Sequence, residues 1–526
     1  MPGTGYEGEI MTDNGTIKSN RIYWASGIVS ICGIIFEVLF GALGSYILGD
    51  GVKQYTLTIS LFLTGMGIGS FLSEKVMKKL LEAFIIIEFS VALIGGFSAF
   101  LLFGVTAYLG DGSDAIFLYT VILVIGTLTG LELPILIRKA NEIGVQINKS
   151  TARVLFSDYA GGLIGGLLFI FLFRPQFGLV KSAFLVAIIN LVVALWVLYT
   201  FRKELTRVKI YSSVGGLIFI LLIGGVMFGE EMALSFEQKL YKDPIIYTEE
   251  TKYQHIVLTK EQGDLRLYLD GQLQFSSADE YRYHETLVHI PMALAERKER
   301  VLVLGGGDGL ALRELEKYKD IKEITLVDLD PRMVELAETN PLLKELNGNA
   351  FENEKVEVLH KDAYDFMEKT EGFYDVILVD LPDPNNESLN KLYTLEFYSL
   401  LRNHLDPSGM IMAQATSPVF AREVYWTIDE TFAETGMNTE NFHLDIPSFG
   451  NWGFVLASRK PIDIDEVNIN VETKYLSTEL IPSLTKFGKD EDRSFANKDG
   501  DKVDVKPNTL IRPILIDIYE KAWQDY

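Results

Sequence analysis

Five aspartates carry the chemistry that this sequence points to. Each follows an apolar, strand-like run in the second half of the chain. Asp308 lies in Gly305-Gly306-Gly307-Asp308-Gly309, Asp328 follows Ile324–Val327, and Asp362 precedes Ala363 in Lys361-Asp362-Ala363; Asp380 and Asp383 share Asp380-Leu381-Pro382-Asp383-Pro384. Gly305 and Gly307 let a ligand approach the backbone, and an acid about 20 residues further on can accept from both hydroxyls of a ribose, the pattern of a nucleoside-binding βαβ unit. Taken singly, each aspartate is equally well explained as a helix cap or an Asx turn. Five on one sheet edge are harder to explain structurally, because like charges repel unless a cation lies among them. The pattern therefore predicts a nucleoside that carries positive charge, or a cationic second substrate.

The elements that must position these residues are readable from hydropathy. Val301–Leu304, Ile324–Val327, Val356–Leu359, Tyr374–Val379, Met410–Gln414 and Gly453–Ala457 read as strands, with a helix-period segment at 310–318. Strands alternating with helices predict a Rossmann-like, doubly wound α/β domain over 291–460, with ligands at the strands' carboxyl ends. Before it, from Tyr253, alternating residues with turns at Gly263-Asp264 and Asp270-Gly271 predict a small antiparallel β domain within 229–290. Glu280 to Glu285 then opens a helix. Residues 461–526 form a C-terminal extension, with a loop at 497–501 and a closing helix at Leu510–Trp523, and carry no chemistry in this reading.

The first half of the chain is a different material. Of 526 residues, 48% are hydrophobic and 23% charged, but the apolar residues concentrate before 229. Behind a polar tail (1–22), segments near 23–48, 55–73, 83–108, 115–137, 155–173, 179–201 and 210–228 are each long enough to span a bilayer. A multi-pass α-helical membrane domain of about seven helices is expected over 23–228. The spacings Gly65/Gly69, Gly161/Gly165 and Gly162/Gly166 suit close helix packing. Glu37, Glu88, Glu132 and Asp158 either mark a polar pathway or buried pair, or face headgroups at helix ends, the latter fitting Asp158 and Glu132. In a seven-span arrangement most Lys and Arg of this half lie on the side away from the soluble half, which by the positive-inside rule puts that half outside the cytoplasm. The net charge of −23 excludes nucleic acid as a natural partner. Cys32 is the one cysteine, so neither a disulfide framework nor a thiolate metal site is available.

The run of motifs is specific. GGGDG, VDLD, KDA and DLPDP, preceded by YQ, LYLDG and DEYRYHE, resembles the spermidine synthase (polyamine aminopropyltransferase) family over about 250–460, in its membrane-fused bacterial type. The resemblance implies transfer of an aminopropyl group from decarboxylated S-adenosylmethionine to putrescine or a related amine, giving spermidine and 5′-methylthioadenosine. The donor is a co-substrate, and no cofactor or metal is implied. Carried over, Gln254, Asp328, Asp362 and Ala363, with Gly305 and Gly307, would bind the nucleoside; Asp308 would hold the donor's ammonium, and His284, Tyr283 and Asp383 would line the amine site. Asp380 would accept the proton. A homo-oligomer is implied, as is a cytoplasmic active site at the cell membrane, against the charge distribution. Asn385-Asn386-Glu387 replaces the family's Gly-Pro after DLPDP, Asp328 replaces a usual Glu, and Phe449 stands where a tyrosine often touches the acceptor; the acceptor's identity stays open. So do two other readings: a small-molecule methyltransferase on the same fold, and a polyamine transporter or sensor with a non-catalytic domain. The remaining histidines, His255, His289, His360, His404 and His443, read as core or surface residues.

Overall fold

The computed structural model describes residues 13–49, 51–109, 112–495 and 502–523. The chain divides into two compact units at Lys242/Asp243. The boundary falls later than 228 because the last apolar helix does not stop where its hydropathy drops.

The first unit is helical: α1 (Asp13–Leu48), α2 (Gly51–Leu72), α3 (Leu80–Leu109), α4 (Ser113–Glu142), α5 (Ile147–Leu168), α6 (Arg174–Thr200) and α7 (Val208–Glu237). Helix α1 thus takes in the last residues of the expected polar tail. Six helical stretches among the described residues are long and apolar enough to cross a membrane, the fifth being Ile147–Thr200. That stretch covers two of the seven expected spans. At 54 residues it is roughly 80 Å of helix, against a hydrocarbon core of about 30 Å. A π-turn at Phe169–Phe173 joins α5 to α6, and Gly178 breaks the run at φ 61°, ψ −169°, a conformation open essentially to glycine alone.

Glycines set the helix contacts. A Cβ on Gly69 would lie 2.0 Å from the Thr127 carbonyl oxygen, and one on Gly130 2.2 Å from that of Met66, so α2 and α4 touch backbone to backbone. Gly161 and Gly165 do the same against Gly27 and Ile31 of α1. Of the Gly162/Gly166 pair only the first makes a contact: a Cβ on Gly162 would lie 3.3 Å from the Ile34 side chain, while one on Gly166 would meet nothing within 4 Å. Glu88 and Glu132 are both buried, at 0% and 5% exposure, so Glu132 does not face headgroups.

The second unit opens with an antiparallel meander, β1 (Ile245–Glu250), β2 (His255–Glu261), β3 (Asp264–Leu269) and β4 (Gln272–Ser276). Strand β1 lies upstream of the expected start of this sheet. Its two tight turns have positive φ at both central residues, Gln262-Gly263 and Asp270-Gly271, the type I′ geometry that matches strand twist. Helix α8 (Glu280–Leu294) leads into the main domain: β5 (Arg300–Gly305), α9 (Leu310–Leu315), β6 (Glu323–Asp328), α10 (Pro331–Thr339), α11 (Pro341–Leu346), β7 (Val356–His360), α12 (Ala363–Lys369) and β8 (Tyr374–Asp380). It continues with α13 (Glu387–Asn390), α14 (Leu395–Asn403), β9 (Leu405–Gln414), α15 (Arg422–Glu434), β10 (Asn438–Ile446), β11 (Gly450–Ser458), α16 (Ile481–Leu484) and α17 (Leu515–Trp523).

The seven-stranded sheet has the order β10-β11-β9-β8-β5-β6-β7. Strands β5 to β9 are parallel, and β11 and β10 add antiparallel at one edge. Strand β10 was hidden in the sequence because its polar residues, His443 and Asn441 among them, interrupt the apolar alternation. The order reverses between β5 and β8, and ligands in such sheets bind in the crevice at that switch point. Val301–Leu304 are fully buried, as expected for a central strand covered on both faces.

The closing helix starts at Leu515 rather than Leu510, after Pro513. Buried Asn508 fixes the approach, donating to Asn390 Oδ1 (3.1 Å) and the Tyr393 carbonyl (2.9 Å) while its Oδ1 accepts from the Ile514 amide (3.0 Å). The loop expected at 497–501 lies outside the described residues.

Candidate active site

The site is built at the β5/β8 switch point, and the glycines decide how tightly. Gly305 pairs in register with Asp380. At φ +83°, a Cβ there would lie 2.0 Å from the Asp380 carbonyl oxygen. The Gly306 amide donates to that same oxygen at 3.2 Å. A Cβ on Gly307 would meet Asp328 Oδ2 at 2.6 Å, and its amide donates to that oxygen at 3.1 Å. These glycines do more than admit a ligand: they let two strand-end carboxylates sit against the turn itself. Gly305→Ala is therefore expected to cost at least about 2 kcal/mol through left-handed strain and overlap, read as a lower thermal midpoint together with lost nucleoside binding.

Asp380 ends β8. Tyr283 Oη, from α8, donates to its Oδ1 at 2.7 Å. Burial pushes the Asp380 carboxyl above the usual carboxylate range, opposed by the positive charge of His284 and by the Tyr283 hydrogen bond. Asp308 is also pushed up by burial, to about 6, with His284 opposing and Asp380 adding to the rise; its Oδ1 accepts from the Leu310 amide at 2.9 Å. His284 is the counterpart. Burial would lower its pKa, but a hydrogen bond from Nδ1 to Glu280 (2.9 Å to Oε2) and the charges of Glu280, Asp308 and Asp380 raise it to about 9. Glu280 is in turn gripped by both terminal nitrogens of Arg313, at 2.9 Å each. The acids thus have a resident cation, an imidazolium held from behind by a Glu–Arg pair that the sequence reading passed over.

Around this centre stand the nucleoside candidates. Asp328 Oδ1 accepts from the Asp330 amide at 2.8 Å, and burial raises its carboxyl to about 6. Gln254 Nε2 donates to Asp330 Oδ2 at 3.0 Å, as Thr251 Oγ1 does at 2.7 Å. Asp330 also caps α10 through the Arg332 amide, so this second acid of VDLD, to which no role was carried over, ties the β meander to the sheet edge. Asp362 takes the cap position of α12, accepting from the Tyr364 amide at 2.9 Å, and its other oxygen meets Lys391 Nζ at 2.6 Å. Ala363 is the first residue of that helix.

Asp383 is buried and saturated. It accepts from Gln414 Nε2 (3.2 Å), Thr416 Oγ1 (3.1 Å) and Tyr519 Oη (2.9 Å). The C-terminal extension therefore reaches the site after all, through a tyrosine that no local pattern marked. Asn386 caps α13 through the Leu389 amide (3.0 Å), giving the loop after DLPDP a helical exit in place of Gly-Pro. Phe449 packs edge-on against Trp452, ring centroids 5.1 Å apart. His289 is a core residue held by Tyr318 and Glu314, both at 2.9 Å. Among the described residues no group of three or more His, Cys, Asp or Glu is arranged to hold a metal ion.

Tyr519→Phe removes one of the three donors to Asp383. The expected loss is about 1–3 kcal/mol, the cost of under-satisfying a buried carboxylate, seen as a lower thermal midpoint that Tyr519→Leu does not exceed by much.

The chain is similar to known proteins along most of its length. Residues 280–468 match the spermine/spermidine synthase domain family. A polyamine aminopropyltransferase of Oceanobacillus iheyensis is 65% identical over 517 residues, covering 98% of this chain and all of the relative. One from Leptospira interrogans is 38% identical over 505 residues, covering 95% and 98%, and one from Mycobacterium tuberculosis is 33% identical over 513 residues, covering 94% of each. The similarity runs through the helical unit as well as the sheet domain. With the acidic switch-point site on one unit and these relatives matching along both, the chain belongs to the polyamine aminopropyltransferases, enzymes of aminopropyl transfer.

Proposed function

We propose that the protein transfers the aminopropyl group of decarboxylated S-adenosylmethionine to putrescine or a closely related diamine, on a domain tethered to the cell membrane by its apolar helices. The observation that carries the reading is the Asp308–His284–Asp380 cluster, its histidine buried and its two acids half-buried, with Tyr283 on Asp380. An alkylammonium has a pKa of about 10 and reaches the site without a free lone pair. Asp380, made more basic by burial, takes the proton as the amine nitrogen attacks the carbon next to the sulfonium, and the sulfur leaves with the bonding pair as methylthioadenosine. Tyr283 orients the carboxylate. The sulfonium is already a good leaving group, so most of the acceleration comes from positioning.

In this reading Asp308 holds the donor's ammonium and would repel the carboxylate of ordinary S-adenosylmethionine. Asp328 takes the ribose diol, Gln254 the nucleoside, and Asp362 with Ala363 the adenine edge. Asp383, fully satisfied by protein donors, supports the amine site from beneath. The apolar lengths of the first unit support membrane placement, and a donor made in the cytoplasm supports a cytoplasmic active site.

The test is direct. The full chain with decarboxylated S-adenosylmethionine and a panel of diamines should form methylthioadenosine and one aminopropylated product, both read by mass spectrometry. No product with any amine, from protein that binds the nucleoside, would overturn the catalytic reading. Flotation of the full chain with lipid vesicles tests the tether separately.

A pH dependence follows from Asp308. Its carboxyl must be ionised to hold an ammonium, and its midpoint lies at about 6. Affinity for the donor is expected to be level above that pH and to fall up to tenfold per unit below it, measured by calorimetric titration. Methylthioadenosine, which lacks the ammonium, should show a shallower fall governed by Asp328.

A further inference from the structure

The helical unit holds an acidic constellation of its own. Glu88 of α3 and Glu132 of α4 place their carboxyl groups within hydrogen-bonding reach of each other, and the Asn190 side chain of α6 joins them at Glu88. Asn190 Nδ2 donates to the Glu88 carbonyl at 3.1 Å. All three side chains are buried, at 0%, 5% and 0% exposure. Both Glu88 oxygens, Glu132 Oε1 and Asn190 Oδ1 lack a hydrogen-bond donor. Apart from the Asn190 amide nitrogen, the cluster therefore contains acceptors only. Leaving two carboxylates and an amide oxygen in that state inside an apolar bundle would cost several kcal/mol, so something must supply positive charge or protons.

Protons alone close the circuit. With both acids protonated, Glu132 donates to Glu88, Glu88 donates to Asn190 Oδ1, and Asn190 already donates to the Glu88 backbone. The ionised form has a charge of −2 and needs a cation with N–H donors. The titratable groups facing the pair from neighbouring helices are Cys32 of α1 and Asp158 of α5, neither of which supplies positive charge. The surroundings have joints: Pro134 lies two residues beyond Glu132 inside α4, leaving the Gly130 carbonyl to accept from Ser70 Oγ at 3.1 Å, and α6 is broken at Gly178.

We infer that Glu88, Glu132 and Asn190 form a cation site in the bundle that exchanges protons for a primary alkylammonium, the charged end of a polyamine. Each ammonium charge taken up displaces one proton, so the cluster stays neutral. The inference rests on the bilayer placement proposed above, which vesicle flotation checks independently, and not on the transfer reaction.

The test uses the detergent-solubilised full chain, spermidine as probe, and infrared detection of protonated-carboxyl stretches with proton release in weak buffer. Wild type should lose protonated-carboxyl intensity and release protons on adding spermidine, beyond the response shared with Glu132→Gln, whose transfer activity should be unchanged. Asn190→Leu, which keeps volume but removes the acceptor, should weaken that extra response at least tenfold. A quaternary diammonium without N–H groups should not produce it. Identical responses from wild type and both variants would overturn the inference, as would a protonated-carboxyl signal from the pair that spermidine leaves untouched.

Discussion

Asp380→Asn should lower turnover by about 10²- to 10⁴-fold, the range for loss of a positioned general base, while affinity for methylthioadenosine changes little. Asparagine keeps the shape of the side chain and an oxygen to accept from Tyr283 (2.7 Å in the native protein); it removes the charge and the proton affinity that burial enhances. Single-turnover rates across pH are the informative measurement. The native rate should rise with pH as Asp380 ionises, and the variant should lose that limb, recovering only at alkaline pH where more of the amine is free of its proton. A variant within tenfold of native turnover would move the base elsewhere. Tyr283→Phe separates orientation from basicity: it should keep the acidic limb but lower the plateau.

Asp308→Asn has the second largest expected effect, on the choice of donor. Breaking a buried ion pair by removing one partner costs about 3–5 kcal/mol, so affinity for decarboxylated S-adenosylmethionine should fall at least 10²-fold. The selectivity should change in a specific direction, because His284 remains. Its imidazolium, held by Glu280 at 2.9 Å with a pKa raised to about 9, would lose one of its three counter-charges, the one on the donor's side in the proposed reading, and the site would repel a carboxylate less. The variant should therefore bind ordinary S-adenosylmethionine better than the native protein does, by competition calorimetry. Equal weakening toward both nucleosides would mean that Asp308 acts on the turn, where its Oδ1 accepts from the Leu310 amide, rather than on the ligand.

Much of this was legible in the residues themselves. The central strands β5, β6 and β8 show as apolar runs because they are covered on both faces, and both hairpin turns show through their glycines, though the first falls at Gln262-Gly263, one residue before the expected Gly263-Asp264, because Gln262 takes the positive φ that no residue preference marked. Strand β10 did not show, since its polar residues pair with groups distant in sequence, His443 Nε2 with the Lys486 backbone carbonyl at 2.8 Å among them. The number of helical stretches was obscured for a different reason. Hydropathy separates 155–173 from 179–201 around Arg174 and Pro175, but the backbone carries the helix through that region in a π-turn and breaks only at Gly178.

The sequence by itself determined which side chains reach the carboxyl edge of the sheet, because strand length, glycine turn and terminal acid are adjacent along the chain and their spacing is local. It also determined the contrast between an apolar half and an acidic half. Only the tertiary structure decided what each acid does there. Asp362 is a helix cap paired with Lys391, and Asp383 is anchored by Gln414, Thr416 and Tyr519, while Asp308 and Asp380 share the cluster of His284, itself backed by Glu280 and Arg313. Those partners are separated by 29 to more than 130 residues in several cases. A carboxylate's proton affinity depends on its burial and on the donors and charges within a few ångströms, and folding, not sequence spacing, brings those to it.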